Sequence, residues 1–219
     1  MNARPRPSAA PLATMLLALA VPCAAGTLEG SPHDFSRRAW APQGQLCVLC
    51  HTPVRVGGGV LAAPLWSRPG EAGYRVYASP TLDAVPGQPG SLSKVCLSCH
   101  DGSVAVDSFG EMAPRGPVVA ASRDLTGSHP IGLQYGRDLA HRDRSLFDPS
   151  LRLVTIGSGG KQKSGHVEGT LLYDGRLECS SCHDPHNIYT VPAGVPGQGN
   201  KLLKMGMGGS AICLACHDK

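Results

Sequence analysis

The chain is poor in aromatic residues and in long apolar runs. Phe, Trp and Tyr together make up 5% of its 219 residues, so aromatic side chains cannot supply much of a core. The apolar run Leu12–Val21 is too short to span a bilayer, which takes about 20 residues. Gly and Pro, with 28 and 19 residues, interrupt helices and sheets. We therefore expect sparse secondary structure and a core that depends on something other than aromatic packing.

The sequence also lacks a basic patch and the motifs of common hydrolases. Without Arg4 and Arg6 of the N-terminal segment, 18 basic residues stand against 16 acidic ones. This balance does not suit nucleic-acid binding. There is no phosphate-binding loop, no HExxH zinc site and no nucleophile–His–acid pattern. Hydrolysis and phosphoryl transfer therefore have no support, and we predict a protein that is not an enzyme of these kinds.

The first 25 residues have the layout of a secretory signal peptide. Arg4 and Arg6 precede the apolar run, and the small-residue segment Cys23–Gly26 follows it. We predict cleavage near Ala25, which also removes Cys23. The mature domain is then residues 26–219, exported to the periplasm or the extracellular space, with no transmembrane segment.

The eight remaining cysteines form four C-x-x-C pairs, and a histidine follows every pair. C-x-x-C-H is the attachment sequence for c-type haem. Two thiols at this spacing each form a thioether with one haem vinyl group, and the adjacent histidine binds the iron from the same side. We therefore predict four covalent haem c groups. The attachment residues are Cys47, Cys50, Cys96, Cys99, Cys179, Cys182, Cys213 and Cys216, and the motif histidines are His51, His100, His183 and His217.

Disulfides, zinc and a redox-active cysteine pair are the alternatives. Disulfides suit an exported chain, but they give no reason for a histidine after every pair. A zinc ribbon places about 15–20 residues between its cysteine pairs, whereas the gaps here are 45, 79 and 30 residues. A thioredoxin-like pair occurs in a βαβ unit, which this sequence does not suggest. Haem explains the pattern best.

Haem attachment also accounts for the composition. Macrocycles supply the large apolar bodies that aromatic residues normally provide, and glycine lets the backbone approach them closely. The predicted fold class is a multihaem cytochrome c, mostly irregular and haem-organised, with short helices and a few short strands. We expect short helices to begin within or just after several of the motifs, and a strand or hairpin between the second and third motifs. Asp174-Gly175, between apolar pairs, predicts a tight turn.

Each iron needs a second axial ligand or stays open. The histidines outside the motifs are His33, His129, His141, His166 and His186, and the mature methionines are Met112, Met205 and Met207. The surplus of histidine favours two histidines per iron, whereas methionine would raise the reduction potential.

The local sequence ranks the histidines. Pro185 restricts the backbone between His183 and His186, so we expect these two to serve neighbouring irons. His33 and His129 adjoin prolines on extended segments that suit a ligand. His141 lies among charged residues, as a surface histidine would. His166, in a glycine-rich stretch, remains open between ligand and bystander.

The motifs and their surroundings resemble the exported tetrahaem cytochromes c that include the extracellular cytochrome filaments. The resemblance covers most of the mature chain, with matching segments at Ser31–Phe35, Cys47–Pro53, Ala63–Trp66, Ser79–Asp83, Cys96–Gly102, His129-Pro130, Cys179–His186 and Cys213–His217. In those filaments the haems form a continuous chain, and a histidine from a neighbouring subunit can complete a haem. The resemblance implies distal ligands at His33, His129 and His186.

One position departs from the family pattern. The family's fourth distal ligand lies in a C-H-T-P-H run, but this chain reads Cys50-His51-Thr52-Pro53-Val54. Val54 cannot bind iron. The remaining ligand is then His166 or His141, or comes from a neighbouring chain, or one haem is five-coordinate.

The expected function is electron transfer through four haems outside the inner membrane, between redox-protein donors and acceptors. In one version the chain is a subunit of a conductive homopolymer, and His33 completes a haem of the adjacent subunit. A monomeric periplasmic shuttle and a reductase of a small ligand at an open iron are the alternatives.

Overall fold

The computed structural model describes residues 28–41, 46–47, 49–51, 55–56, 59–60, 73–102, 105, 116, 118, 123–191 and 201–219. All nine histidines of the chain and the eight motif cysteines are among them. The predicted signal segment, Val54 and Met112 lie outside the described residues.

The described helices and strands are short and are separated by turns and irregular segments. The helices are α1 (Ser91–His100), α2 (Arg137–Asp143), α3 (Val167–Thr170) and α4 (Cys179–Cys182), followed by a 3-10 turn at Gly208–Ser210. The strands are β1 (Arg55–Val56), β2 (Gly59–Val60), β3 (Leu133–Gln134), β4 (Leu153–Ser158), β5 (Lys161–His166) and β6 (Arg176–Leu177). They pair in antiparallel twos, β1 with β2, β3 with β6 and β4 with β5.

The hairpin of β4 and β5 lies between the second and third motifs, where a hairpin was expected. Its register pairs Leu153 with His166 at one end and Ser158 with Lys161 at the other. Val154 and Ile156 alternate with exposed neighbours and face the core, as the two-residue period of a strand requires. The sequence prediction of a hairpin here is confirmed.

A tight turn at Asp174-Gly175 is also confirmed. Tyr173 and Arg176 exchange backbone hydrogen bonds of 3.0 and 2.9 Å across it. Both central residues have positive φ, 51° at Asp174 and 69° at Gly175, which is the conformation of a two-residue hairpin turn and the reason Gly suits it. The turn leads the chain through β6 into α4 and thus into the third motif.

One buried apolar cluster lies against the fourth motif. It is built from residues of β3, α2, β4 and α3 and their flanks, namely Leu133, Tyr135, Leu139, Val154, Ile156, Val167, Leu171, Leu172 and Ala215. Ala215 belongs to the fourth motif, and Cys216 packs against the cluster. The polypeptide core therefore supports this motif directly.

Helix α1 is not one of the helices that begin within or after a motif. It begins at Ser91, ahead of Cys96, and ends at His100. Pro89 and the N-cap Gly90 precede it, and the Glu178 carboxylate accepts the Gly90 N–H at 3.2 Å. A carboxylate at a helix start is favourable for the backbone N–H groups that the helix leaves unpaired, so a distant residue fixes where α1 begins. Helix α4, in contrast, does begin within its motif.

Candidate functional site

Each C-x-x-C-H motif forms one helical turn. In three motifs the histidine N–H donates to the carbonyl of the first cysteine, with distances of 2.7 Å for His51, 3.1 Å for His183 and 2.9 Å for His217. The second motif occupies the last turn of α1. Residues three and four apart share one face of a helical turn, so both thiols and the imidazole begin from the same side. The eight motif cysteines are thiols and form no disulfide.

The four motifs neighbour one another in sequence order. The thiols of Cys50 and Cys96 interact electrostatically, and Cys96 and Cys179 hydrogen-bond to each other through their side chains. This hydrogen bond raises the pKa of Cys96 and lowers the pKa of Cys179. Cys182 in turn interacts with Cys213. Thiols of successive motifs therefore lie near one another.

Three motif histidines each face one histidine from outside the motifs. The ring centres are 6.0 Å apart for His33 and His100, 6.1 Å for His51 and His186, and 6.4 Å for His129 and His217. The planes are nearly parallel only in the His51–His186 pair, at 14°. Aromatic packing alone allows such separations. The distinctive feature is that every pair joins one motif histidine to one non-motif histidine.

The spacing of these pairs fits a metal ion between the rings. An imidazole nitrogen binds a first-row metal at about 2 Å, and the ring centre lies roughly 1 Å beyond it, so two rings on one ion have centres about 6 Å apart. Within the described residues, no group of three or more His, Cys, Asp or Glu side chains is arranged to hold a metal ion. The potential metal ligands instead occur as facing histidine pairs, each beside the two cysteines of a motif. This is the donor set that c-type haem requires.

Backbone N–H groups that donate to the Asp184 carboxylate fix the loop that carries His186. The Asp184 carboxylate is buried and accepts the N–H of His186 at 3.0 Å and those of Ile188 and Tyr189 at 2.7 Å. These bonds, together with Pro185, turn His186 away from His183 and towards His51. The expectation that His183 and His186 serve different irons is consistent with this geometry.

Backbone carbonyls orient two further imidazoles. His183 Nδ1 lies 2.8 Å from the Lys201 carbonyl, and His129 Nδ1 lies 3.1 Å from the Pro130 carbonyl. A carbonyl can only accept, so Nδ1 carries the proton in each ring and Nε2 is the nitrogen with a lone pair. Metal-binding histidines are commonly held in this way.

Burial lowers the pKa of several of these imidazoles. The pKa of His33 is lowered by desolvation and by the nearby His100, and the pKa of His100 by desolvation and by His183. Desolvation and His129 lower the pKa of His217. A lowered pKa keeps an imidazole neutral, which is the form that binds a metal.

His33 faces His100 of its own chain. Helix α1 supplies His100, and Asp34 holds the turn around His33 through the N–H of Gly30 at 2.7 Å and that of Ser36 at 3.0 Å. His33 therefore has a facing histidine within its own chain, and the hypothesis that His33 completes a haem of a neighbouring molecule stays a prediction.

His141 and His166 lie apart from these pairs. Both are exposed, and within the described residues neither has a ring contact with another histidine. His141 lies on α2, whose last residue Asp143 interacts with His217. His166 adjoins Val167, whose N–H donates to Arg152, and Arg152 binds the fourth motif. Both candidates are therefore on the side of the fourth motif.

In the part of the chain that the structure describes, two buried or half-buried cations beside the motifs have no acidic partner. Lys204 is 5% exposed; its Nζ donates to the Tyr173 hydroxyl at 3.2 Å, and its charge acts on the Cys182 thiol. Arg152 donates to the Leu214 carbonyl at 2.8 Å, and its buried Nε has no hydrogen-bond partner. Among the described residues no carboxylate pairs with either cation. Haem propionates are carboxylates that would suit both positions.

No protein-family model and no curated protein sequence matches this chain. In the described part of the chain, no helix is long and apolar enough to cross a membrane.

Sequence reasoning did not find Lys204, Arg152 or Glu178. Each is a charged residue with partners that are distant in the chain, such as Ser93 and Gly90 for Glu178. No local pattern marks such residues. Their burial becomes evident only when the motifs are brought together.

Proposed function

We propose that the chain transfers electrons through four covalently attached haem c groups, outside the inner membrane and between redox-protein partners. The observation that carries the proposal is the set of facing pairs, in which His33, His129 and His186 each lie 6.0–6.4 Å from a different motif histidine. The four helical turns that present two thiols and one imidazole on the same side support it independently.

The chain's own residues would attach, orient and charge-balance the cofactor. The eight motif cysteines would provide the thioether sulfurs, and each motif histidine would provide one nitrogen ligand to the iron. The carbonyls of Lys201 and Pro130 hold the ring tautomers of His183 and His129. Lys204 and Arg152 offer cations to propionates. Haem itself supplies iron that alternates between the ferrous and ferric states.

The neighbouring attachment points support transfer along the molecule rather than at one isolated centre. Cys96 interacts with both Cys50 and Cys179, and Cys182 interacts with Cys213, so thiols of successive motifs lie near one another. A protein that conducts electrons needs its redox groups close together, and the polypeptide sets their spacing and axial ligands.

Intact mass and a redox absorbance spectrum of the exported protein test this proposal. The expected result is the mature chain plus four haem masses, with reversible oxidation and reduction. A chain that acquires no haem in a host able to attach c-type haem would contradict the proposal and return the cysteines to disulfides or zinc.

A pair of histidine variants tests the axial ligands. His129→Ala should leave the iron at His217 with one protein ligand and convert one haem in four to the high-spin form. His141→Ala is the matched control, because His141 is an exposed histidine without a facing ring, and its spectrum should equal that of the unaltered protein. Equal spectra for both variants would remove His129 from the ligand set.

The assembly is a separate question. The His33–His100 contact within one chain favours a self-contained electron carrier, whereas the resemblance favours a conductive homopolymer. Electron microscopy of the purified haem-loaded protein distinguishes them. In a filament that depends on His33, the His33→Ala variant would lose both assembly and part of its low-spin spectrum; in a monomer it would lose only the latter.

A further inference from the structure

The first cysteines of the second and third motifs are in contact. Cys96 and Cys179 hydrogen-bond to each other through their side chains. The backbone brings them together as well, because the Ser93 hydroxyl accepts the Cys179 N–H at 3.0 Å, and Ser93 lies three positions before Cys96 on α1. Residues three apart share one face of a helix. The face of α1 that carries Cys96 is therefore the face against which the third motif packs.

A buried carboxylate fixes this contact. Glu178 immediately precedes Cys179 and accepts hydrogen bonds from the Ser93 hydroxyl and, at 3.2 Å, from the Gly90 N–H. Both Glu178 and Ser93 are buried. Hydrogen bonds to an ionised group are strong and directional, so they hold the start of α1 against the third motif. The two sulfurs thus belong to backbone segments whose relative position is fixed.

Two thiols in contact are a site at which a disulfide can form. An S–S bond is about 2.05 Å long, so hydrogen-bonded sulfurs need only a small displacement to reach that distance. Cys179 is the nucleophile of the pair, because the hydrogen bond from Cys96 lowers its pKa and the thiolate is the form that attacks a disulfide.

The helical geometry of the second motif disfavours a disulfide within that motif. Cys96 and Cys99 both lie in α1, where residues three apart have their Cβ atoms about 5–6 Å from each other. A disulfide requires about 3.5–4.5 Å between its Cβ atoms. A Cys96–Cys99 bond would therefore have to distort the last turn of the helix, whereas a Cys96–Cys179 bond joins two sulfurs that are already in contact.

We propose that Cys96 and Cys179 form a reversible disulfide before haem is attached, and that this bond prevents attachment at the second and third motifs together. The disulfide itself does not depend on haem. Its effect on attachment rests on the proposed function. Each covalent haem uses two thiols, and this one bond removes one thiol from each of the two motifs, leaving only Cys99 and Cys182.

The oxidant is a disulfide compound, either a protein or a small molecule. The Cys179 thiolate attacks one sulfur of that compound, the S–S bond of the oxidant breaks, and its first thiol leaves. The Cys96 sulfur then loses its proton, attacks the Cys179 sulfur and displaces the second thiol. Two electrons pass from the cysteines to the oxidant, and an added dithiol reverses the exchange.

The test uses the full chain, exported from a host that attaches c-type haem, with either reduced or oxidised glutathione in the medium. With reduced glutathione the intact mass should show four haems. With oxidised glutathione a species that has lost the haems of the second and third motifs should accumulate. A non-reducing digest of that species should contain two peptides linked through Cys96 and Cys179, and a dithiol should separate them.

Two serine variants of the second motif locate the bond. Cys96→Ser should abolish the link and keep the haem of the third motif under oxidised glutathione, because Cys179 then has no partner in contact. Cys99→Ser is the matched control, since it removes a thiol from the same motif but leaves the Cys96–Cys179 contact. It should retain the link and lose the haem of the third motif.

The outcomes separate this inference from the proposed function. Links within the motifs, such as Cys96–Cys99 or Cys179–Cys182, would overturn the inference and leave electron transfer intact. Haem loss spread evenly over the four motifs would do the same, as would equal occupancy of the third motif in both serine variants. Absence of haem under either condition would refute the proposed function, and the digest of the same chain would still decide whether the disulfide forms.

Discussion

The fourth motif and the junction of the second and third motifs are held by different kinds of contact. The fourth motif packs through Ala215 and Cys216 against the apolar cluster around Val167 and Ile156. The junction depends on a buried polar group that we term the Glu178 clamp, formed by Gly90, Ser93, Arg176, Glu178 and Ser181. Glu178 is 3% exposed and Ser93 is fully buried.

The Glu178 clamp connects α1 to the start of α4. The Glu178 carboxylate accepts from the Ser93 hydroxyl, the Gly90 N–H and, at 3.0 Å, Arg176 Nε. The Ser93 oxygen in turn accepts the Cys179 N–H at 3.0 Å. At Gly90 a Cβ would overlap the Glu178 carboxylate, so only glycine allows this approach.

The difference follows from what each contact can specify. Apolar packing is non-directional and tolerates small shifts, whereas charged hydrogen bonds fix distance and direction. The clamp joins two attachment sites whose thiols, Cys96 and Cys179, are in contact. We interpret the polar junction as the device that sets the relative position of these two sites.

The largest expected effect is that of Glu178→Ala. It leaves Arg176 Nε, the Ser93 hydroxyl and the Gly90 N–H without the Glu178 acceptor, so the free energy of unfolding should fall by about 3–5 kcal/mol. Denaturant unfolding of the haem-loaded protein measures it. The matched control is Arg75→Ala, which breaks the exposed Arg75–Asp124 ion pair, with side chains 77% and 38% exposed. Its cost should stay below about 1 kcal/mol, and similar costs for both variants would contradict the role of the clamp.

A smaller loss of stability is expected for Val167→Ala, in the apolar cluster that packs against the fourth motif. Val167 is fully buried, and removing its two methyl groups should lower the free energy of unfolding by about 2 kcal/mol. The same substitution at Val85, which is 88% exposed, should change it by less than about 0.5 kcal/mol. A loss at Val167 as small as that at Val85 would show that the cluster does not support the fourth motif.

The sequence predicts local features of the molecule, such as turns and motif geometry, but not the contacts between residues that are far apart in sequence. The repeated Cys-x-x-Cys-His spacing is enough to place two thiols and an imidazole on one turn, and Asp174-Gly175 is enough to predict its turn, because these depend on neighbours in the chain. The pairing of His33 with His100, or of Glu178 with Ser93, joins residues far apart in sequence. Such contacts follow from tertiary packing, for which a single sequence carries no periodic signal.

The start of α1 also depends on a residue that is distant in the sequence. Its sequence has no side-chain cap at Gly90 and no acidic residue in its first turn, the signals by which a helix start is usually recognised. Glu178 supplies the negative charge from a distant segment. The start of this helix ahead of its motif could not be predicted from the local sequence, because the stabilising residue is not local.

The smallest effect is expected for Lys204→Met, which removes a charge beside the third attachment site. Lys204 is a buried cation near the third attachment site, with Tyr173 as its neutral partner. A nearby positive charge disfavours the oxidised iron, so its removal should lower the reduction potential of one haem by on the order of 50 mV. Potentiometric titration followed by absorbance measures the shift. Lys201→Met removes an exposed cation from the same segment and should shift the potential less, because water screens it. Equal shifts would mean that the burial of Lys204 does not strengthen its effect on the reduction potential of the haem.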